Sequence, residues 1–161
     1  TETVALLDFL VDCGVIMVLP NLYGDSEPYK CYVQVPFLRF HFSEKLRKMT
    51  DAQIMDEHKP LFGDLLEAEV VGEYWQSNQT AGIRFARTHC PLGGELVAEI
   101  DLVDPDKKQA FKVKLTDGAG YNGFSLLSER QELKGFTFTL LEGEACMQNI
   151  YRWRESSYQG R

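Results

Sequence analysis

The stretch Leu96-Val97-Ala98-Glu99-Ile100-Asp101-Leu102-Val103, continued through Asp104-Pro105-Asp106 to Ala110-Phe111-Lys112-Val113-Lys114-Leu115, decides the fold. Both flanks alternate apolar and polar residues at the two-residue period of a half-buried strand, and the Asp-Pro-Asp between them is turn chemistry. Paired as an antiparallel hairpin, Leu96, Ala98, Ile100 and Leu102 share an inner face with Phe111, Val113 and Leu115. Glu99 and Asp101 then share the outer face with Lys112 and Lys114, acid against base across the strands.

Working outward toward the C-terminus, Gly118 to Gly123 reads as a loop and Phe124 to Leu127 as a short strand or turn. Phe136, Phe138 and Leu140 alternate in a strand from Gly135 to Leu141, and the tail from Glu144 reads as a helix with Cys146, Ile150 and Trp153 at helical spacing. In the other direction, Ile83 to Thr88 is a strand. Placing Tyr74 with Ile83 inside and Glu73 with Arg84 outside makes Glu67 to Trp75 another strand.

Before that, Thr50 and Gln53 form a capping box. The stripe Ile54, His58, Leu61 and Leu65 is interrupted by Pro60, so two short helices meet near His58. Ser43 can cap a basic turn from Glu44 to Met49. Between Tyr29 and Phe42 the alternation changes phase at Pro36, as in two strands or a bulged one, with Arg39 and His41 opposite the phenylalanines. Thr3 caps a helix from Val4 to Cys13 with Leu6, Leu10 and Cys13 on its stripe, Gly14 stops it, and the apolar Val15 to Leu19 follows.

These elements predict a single α+β domain over residues 1–161. It is a mainly antiparallel sheet of about five to seven strands, covered by an N-terminal helix, a central helical pair and a C-terminal helix. A chain of 161 residues suits one core, and 44% apolar with 25% charged residues is ordinary for a folded protein. The formal charge of −7 disfavours bulk nucleic-acid binding and anionic lipid, and the longest apolar run is far short of a membrane span. Cys13, Cys31, Cys90 and Cys146 are scattered without a CxxC pair, which predicts reduced thiols and a cytoplasmic protein. Their even number and the sequon Asn78-Gln79-Thr80 point the other way.

Catalytic chemistry finds little to use. His41-Phe42-Ser43 is half of a paired His-x-Ser/Thr phosphoesterase pattern, but His58 and His89 lead into Lys59-Pro60 and Cys90-Pro91. His89 and Cys90, adjacent on a strand, point to opposite faces. Three scattered histidines offer no metal-ligand spacing, and the glycine-rich 118–123 loop lacks the Lys-Ser/Thr of a phosphate cradle. No catalytic set, metal site or cofactor is therefore expected.

The favoured expectation is a non-enzymatic protein-binding or regulatory module: an adaptor, inhibitor or accessory factor. Tyr121, Asn122, Arg152, Trp153 and Arg154 are its partner-binding candidates, because aromatic and arginine side chains dominate binding hot spots. The second expectation is a small-ligand or nucleotide binder that grips an anion through Arg39, His41 and Arg84 on the sheet's polar face. The third is a hydrolase using His41 with Ser43 or Cys90.

Overall fold

The computed structural model describes residues 2–24, 28–35, 44–78, 82–89, 96–118 and 120–159. In chain order these form helix α1 (Glu2–Asp12), strands β1 (Ile16–Pro20) and β2 (Tyr29–Val33), and helices α2 (Glu44–Arg47), α3 (Asp51–Glu57) and α4 (Lys59–Asn78). Strands β3 (Arg84–His89), β4 (Leu96–Asp104) and β5 (Gln109–Lys114) follow, then helix α5 (Gly123–Ser128), strand β6 (Thr137–Glu142) and helix α6 (Gly143–Gln159). The architecture is α+β.

The hairpin read from the 96–115 stretch is present: β4 runs antiparallel to β5, with Leu102 opposite Phe111 and Val103 opposite Ala110. The four-stranded sheet has the order β3-β4-β5-β6, and its last pair is parallel, with Ala110 opposite Phe138. The sheet is thus mixed rather than purely antiparallel. After β5 the chain crosses through α5 and returns in the same direction, a connection that produces a parallel neighbour. Strands β1 and β2 form a separate antiparallel pair.

The assignment of Glu67 to Trp75 as a strand is corrected, because these residues lie within the 20-residue helix α4. Ala68, Val71, Val70 and Tyr74 are buried at spacings of three and four, so a run that also satisfied alternation folds with helical period. Pro60 falls in the first turn, where a missing N–H is harmless, and the helix runs on past it. The joint at His58 is as expected, with Thr50 and Gln53 in a capping box at the start of α3. Gly72 is buried in the middle of α4, and a Cβ there would collide with the Gln34 side-chain amide, which would have to shift.

Neighbouring residues on the strands alternate between two packed faces. Phe85, Leu102, Phe111 and Val113 meet α4 and α6, through Val71, Tyr74, Cys146 and Ile150. Ala86, Ile100, Val103 and Ala110 meet Leu127 of α5 and Leu133 beyond it. The expected common face of Ile100 and Leu102 is therefore split. The β3–β4 register shifts between Arg84–Val103 and Ala86–Ile100, a bulge that places one extra β4 residue at 101–102.

Tyr74, Phe111 and Trp153 close the first face with ring centroids 5.1–5.9 Å apart, Trp153 meeting both partners edge-on. The β1–β2 pair joins this body through buried Leu19 and Tyr32, and through Leu22, whose N–H donates to Phe85 O at 2.8 Å.

Leu102, fully buried where the bulge meets α4 and α6, is the sharpest test of this packing. Leu102→Ala is expected to lower unfolding free energy by about 2–5 kcal/mol, read as a reduced urea midpoint at unchanged m-value.

Candidate functional site

The bulge sets up a buried ionic cluster. The β4–β5 ladder stops at Leu102–Phe111, and past that point side chains take over the backbone's bonds. Val113 N–H donates to Asp101 Oδ2 at 2.7 Å and Lys112 Nζ donates to Asp101 Oδ1 at 2.6 Å. The Tyr121 hydroxyl accepts from Glu99 N–H at 2.6 Å and donates to Glu99 O at 2.7 Å, standing in for a strand neighbour.

Three further elements send charged groups into the same place. Glu67 arrives from α4 and Lys30 from β2, and the two form an ion pair. Lys30 Nζ also lies 2.5 Å from Glu99 Oε1 and 3.7 Å from Asp101 Oδ1. Arg87 on β3 reaches Glu99 Oε2 at 2.5 Å, and Tyr32 on β2 donates to Glu67 at 2.6 Å. One oxygen from each of Glu67, Glu99 and Asp101 lies within 4.8 Å of the others, a donor set of the kind that holds a hard divalent cation for phosphoryl chemistry.

Lys30 Nζ touches all three carboxylates, so the chain supplies its own cation at their centre. When Asp101 is ionised, Glu67, Glu99 and Asp101 carry three negative charges, which the three positive charges of Lys30, Lys112 and Arg87 balance. This balance gives the cluster the geometry of a structural tie between hairpin, helix and sheet.

The protonation behaviour follows from the placement. Burial works against the charge on Lys30, but Glu67, Asp101 and Glu99 outweigh it and hold the ammonium above the usual lysine range. Burial also pushes Glu99 upward, yet Lys30 and Lys112 overcome it and bring that carboxyl down to about 2. Asp101 goes the other way: complete burial and then the Glu67 carboxylate raise it to about 7 against the pull of Lys112 and Lys30.

Sequence reasoning missed Lys30, Glu67, Glu99, Asp101 and Lys112 as a group. It paired Glu99 and Asp101 with the β5 lysines but placed them outside, whereas both carboxylates are buried. Of the residues it singled out, Arg39 and His41 lie outside the described residues, as do Ser43, Cys90 and the Pro36 phase switch. Arg84 is half-buried at the start of β3. Tyr121 is engaged with Glu99, and half-buried Trp153 packs in the aromatic cluster. Arg154 donates to Glu73 and Glu69, each at 2.6 Å, while Asn122 and Arg152 are exposed. His58 caps α3 by donating its backbone N–H to Ile54 O, and its ring Nε2 is buried without a hydrogen-bond partner among the described residues, contrary to the carbonyl contact expected of a core-edge histidine.

A different feature stands out on the surface. None of the residues of α1 is buried, and Leu6 and Phe9 expose 57% and 61% of their area. Of the expected inward stripe of Leu6, Leu10 and Cys13, Leu6 and Cys13 are exposed and Leu10 is half-buried, although Gly14 ends the helix as anticipated, with φ +68°.

Compared with family models, curated proteins and solved structures, the chain matches none of them.

Two outcomes test the ionic cluster. Lys112→Met leaves Asp101 buried without its nearest cation and is expected to cost about 3–5 kcal/mol, with Asp101→Asn in the same chain restoring part of the loss. The second concerns pH. Asp101 is raised from 3.8 to about 7, so its ionisation opposes folding and stability falls as pH rises between those values. Glu99 is lowered from 4.5 to about 2, so its contribution is present above 4.5 and is lost as pH falls toward 2. Urea midpoints are expected to peak between these limbs, and Asp101→Asn to flatten the upper one.

Proposed function

We propose that the chain is a non-enzymatic protein-binding module that docks through α1. The observation that carries this reading is the exposure of Val4, Leu6, Leu7, Phe9 and Val11 on one 11-residue helix. These side chains spread around most of its circumference, with Asp8 and Asp12 forming a narrow polar strip and Glu2 and Thr3 lying in its first turn. A helix this short is marginal in water on its own, and an apolar surface this continuous belongs in an interface.

The charge on α1 specifies the partner's chemistry. Its ionisable residues, Glu2, Asp8 and Asp12, are all acidic, and its last turn carries no basic residue. Asp8 and Asp12 are four residues apart and near the negative end of the helix dipole, an arrangement that an approaching cation relieves. The fitting partner is a protein surface with an apolar groove flanked by lysine or arginine. The charge-balanced buried cluster supports a structural role rather than catalysis for the polar interior.

The test uses a photo-crosslinking side chain at Leu6, with one at exposed Glu132 as control, in native cell extract. A product is expected from position 6 alone, weaker at high salt and absent in Asp8→Lys/Asp12→Lys. The double variant Leu6→Ser/Phe9→Ser is expected to abolish it while shifting unfolding free energy by no more than about 0.5 kcal/mol. Undiminished crosslinking in that variant would reject α1 as the docking element.

A further inference from the structure

Beside α1 the structure holds a cleft of about 310 Å³ between β1, the C-terminal half of α4 and the start of β3. Its walls are mostly apolar: Val11, Ile16, Met17, Val18, Trp75 and Ile83. Among the described residues, Gln34, Gln76 and Arg84 are its polar side chains and no carboxylate lines it, although the chain as a whole carries a formal charge of −7. The Arg84 guanidinium is held by no ion pair or side-chain hydrogen bond among the described residues. Gln34 Nε2 is buried and has no hydrogen-bond partner among the described residues, and its amide occupies the space that a side chain at Gly72 would need.

We propose that this cleft binds a small monocarboxylate with an apolar body, its carboxylate on Arg84 and its body against Met17, Ile83 and Trp75. A volume at the lower end of the range for ligand pockets suits a molecule on the order of a dozen non-hydrogen atoms. The planar guanidinium offers a carboxylate two parallel N–H donors. A cationic ligand would meet Arg84 with no compensating acid, and a purely polar anion would leave the apolar walls in contact with water. The site's anchor, Arg84, lies on β3, and α1 contributes only Val11 to its described wall, so binding there does not require a partner at α1.

The probe is 4-phenylbutanoate, titrated calorimetrically and by tryptophan fluorescence, since Trp75 lines the cleft. Saturable binding is expected for the acid, and weaker binding by about tenfold or more for 4-phenylbutan-1-ol, for acetate and for Arg84→Gln. Met17→Trp, which fills the cleft while keeping Arg84, is expected to abolish binding; circular dichroism and the urea midpoint establish that both variants fold. The proposal is overturned if the alcohol binds as well as the acid, if either folded variant binds like the parent, or if the acid shows no saturation up to about 10 mM. A short peptide bearing adjacent phenylalanine and glutamate that binds where the free acid does not would also overturn it.

Discussion

Asp101 is completely buried, and the arrangement around it joins the molecule's separate parts. Its carboxylate replaces the missing β4–β5 ladder bond at Val113, holds Lys112 from β5, and lies beside Lys30 from β2. Through Lys30 and Tyr32 it is tied to Glu67 on α4, and through Glu99 to Arg87 on β3. An isolated carboxylate in that position would be prohibitively costly, so the acids and bases must be assembled together or not at all. The consequence is cooperativity: the hairpin, the long helix and the splayed strands are each placed by a shared charge balance.

Apolar packing then fills in around this frame. The bulge that presents Asp101 also sends Leu102 to the α4–α6 face and Val103 to the α5 face, so both sides of the sheet are closed by helices. Tyr74 shows how the two kinds of interaction meet. Its ring stacks among Phe111 and Trp153 while its hydroxyl donates to the buried Asp104 at 2.7 Å. The same α4 carries Glu69 and Glu73 on another face, where Arg154 binds both and fixes α6 alongside.

Function is most legible where this frame leaves something incomplete. The ionic cluster is balanced from within and Tyr121, Trp153 and Arg154 are engaged inside the fold, whereas α1 presents apolar side chains to water and Arg84 lines a cleft that holds no acid among the described residues. An engaged arginine or tyrosine stabilises the molecule that carries it; an unengaged one, or an uncovered Phe9, is free to bind something else. On the readings proposed above, the two surfaces would take different ligands, an apolar face with basic flanks and a small acid.

The sequence by itself determined the 96–115 hairpin, the capping box at Thr50, the stop at Gly14, the last strand and the C-terminal helix with its buried Cys146 and Ile150. Each of these is written in local period or turn chemistry, and the neighbours that matter are a few residues away. It also paired acid with base across β4 and β5. Tertiary structure alone decided that Glu67 to Trp75 is helical, since Val70, Val71 and Tyr74 satisfy both periods and only burial against the sheet selects one. It decided that the last strand is parallel, that the bulge separates Ile100 from Leu102, and that Glu99 and Asp101 point into the protein. The burial of Glu99 and Asp101 depends on Lys30 and Glu67, 69 and 32 positions from Glu99 along the chain; one-dimensional spacing holds no record of a charge balance assembled from such distant segments.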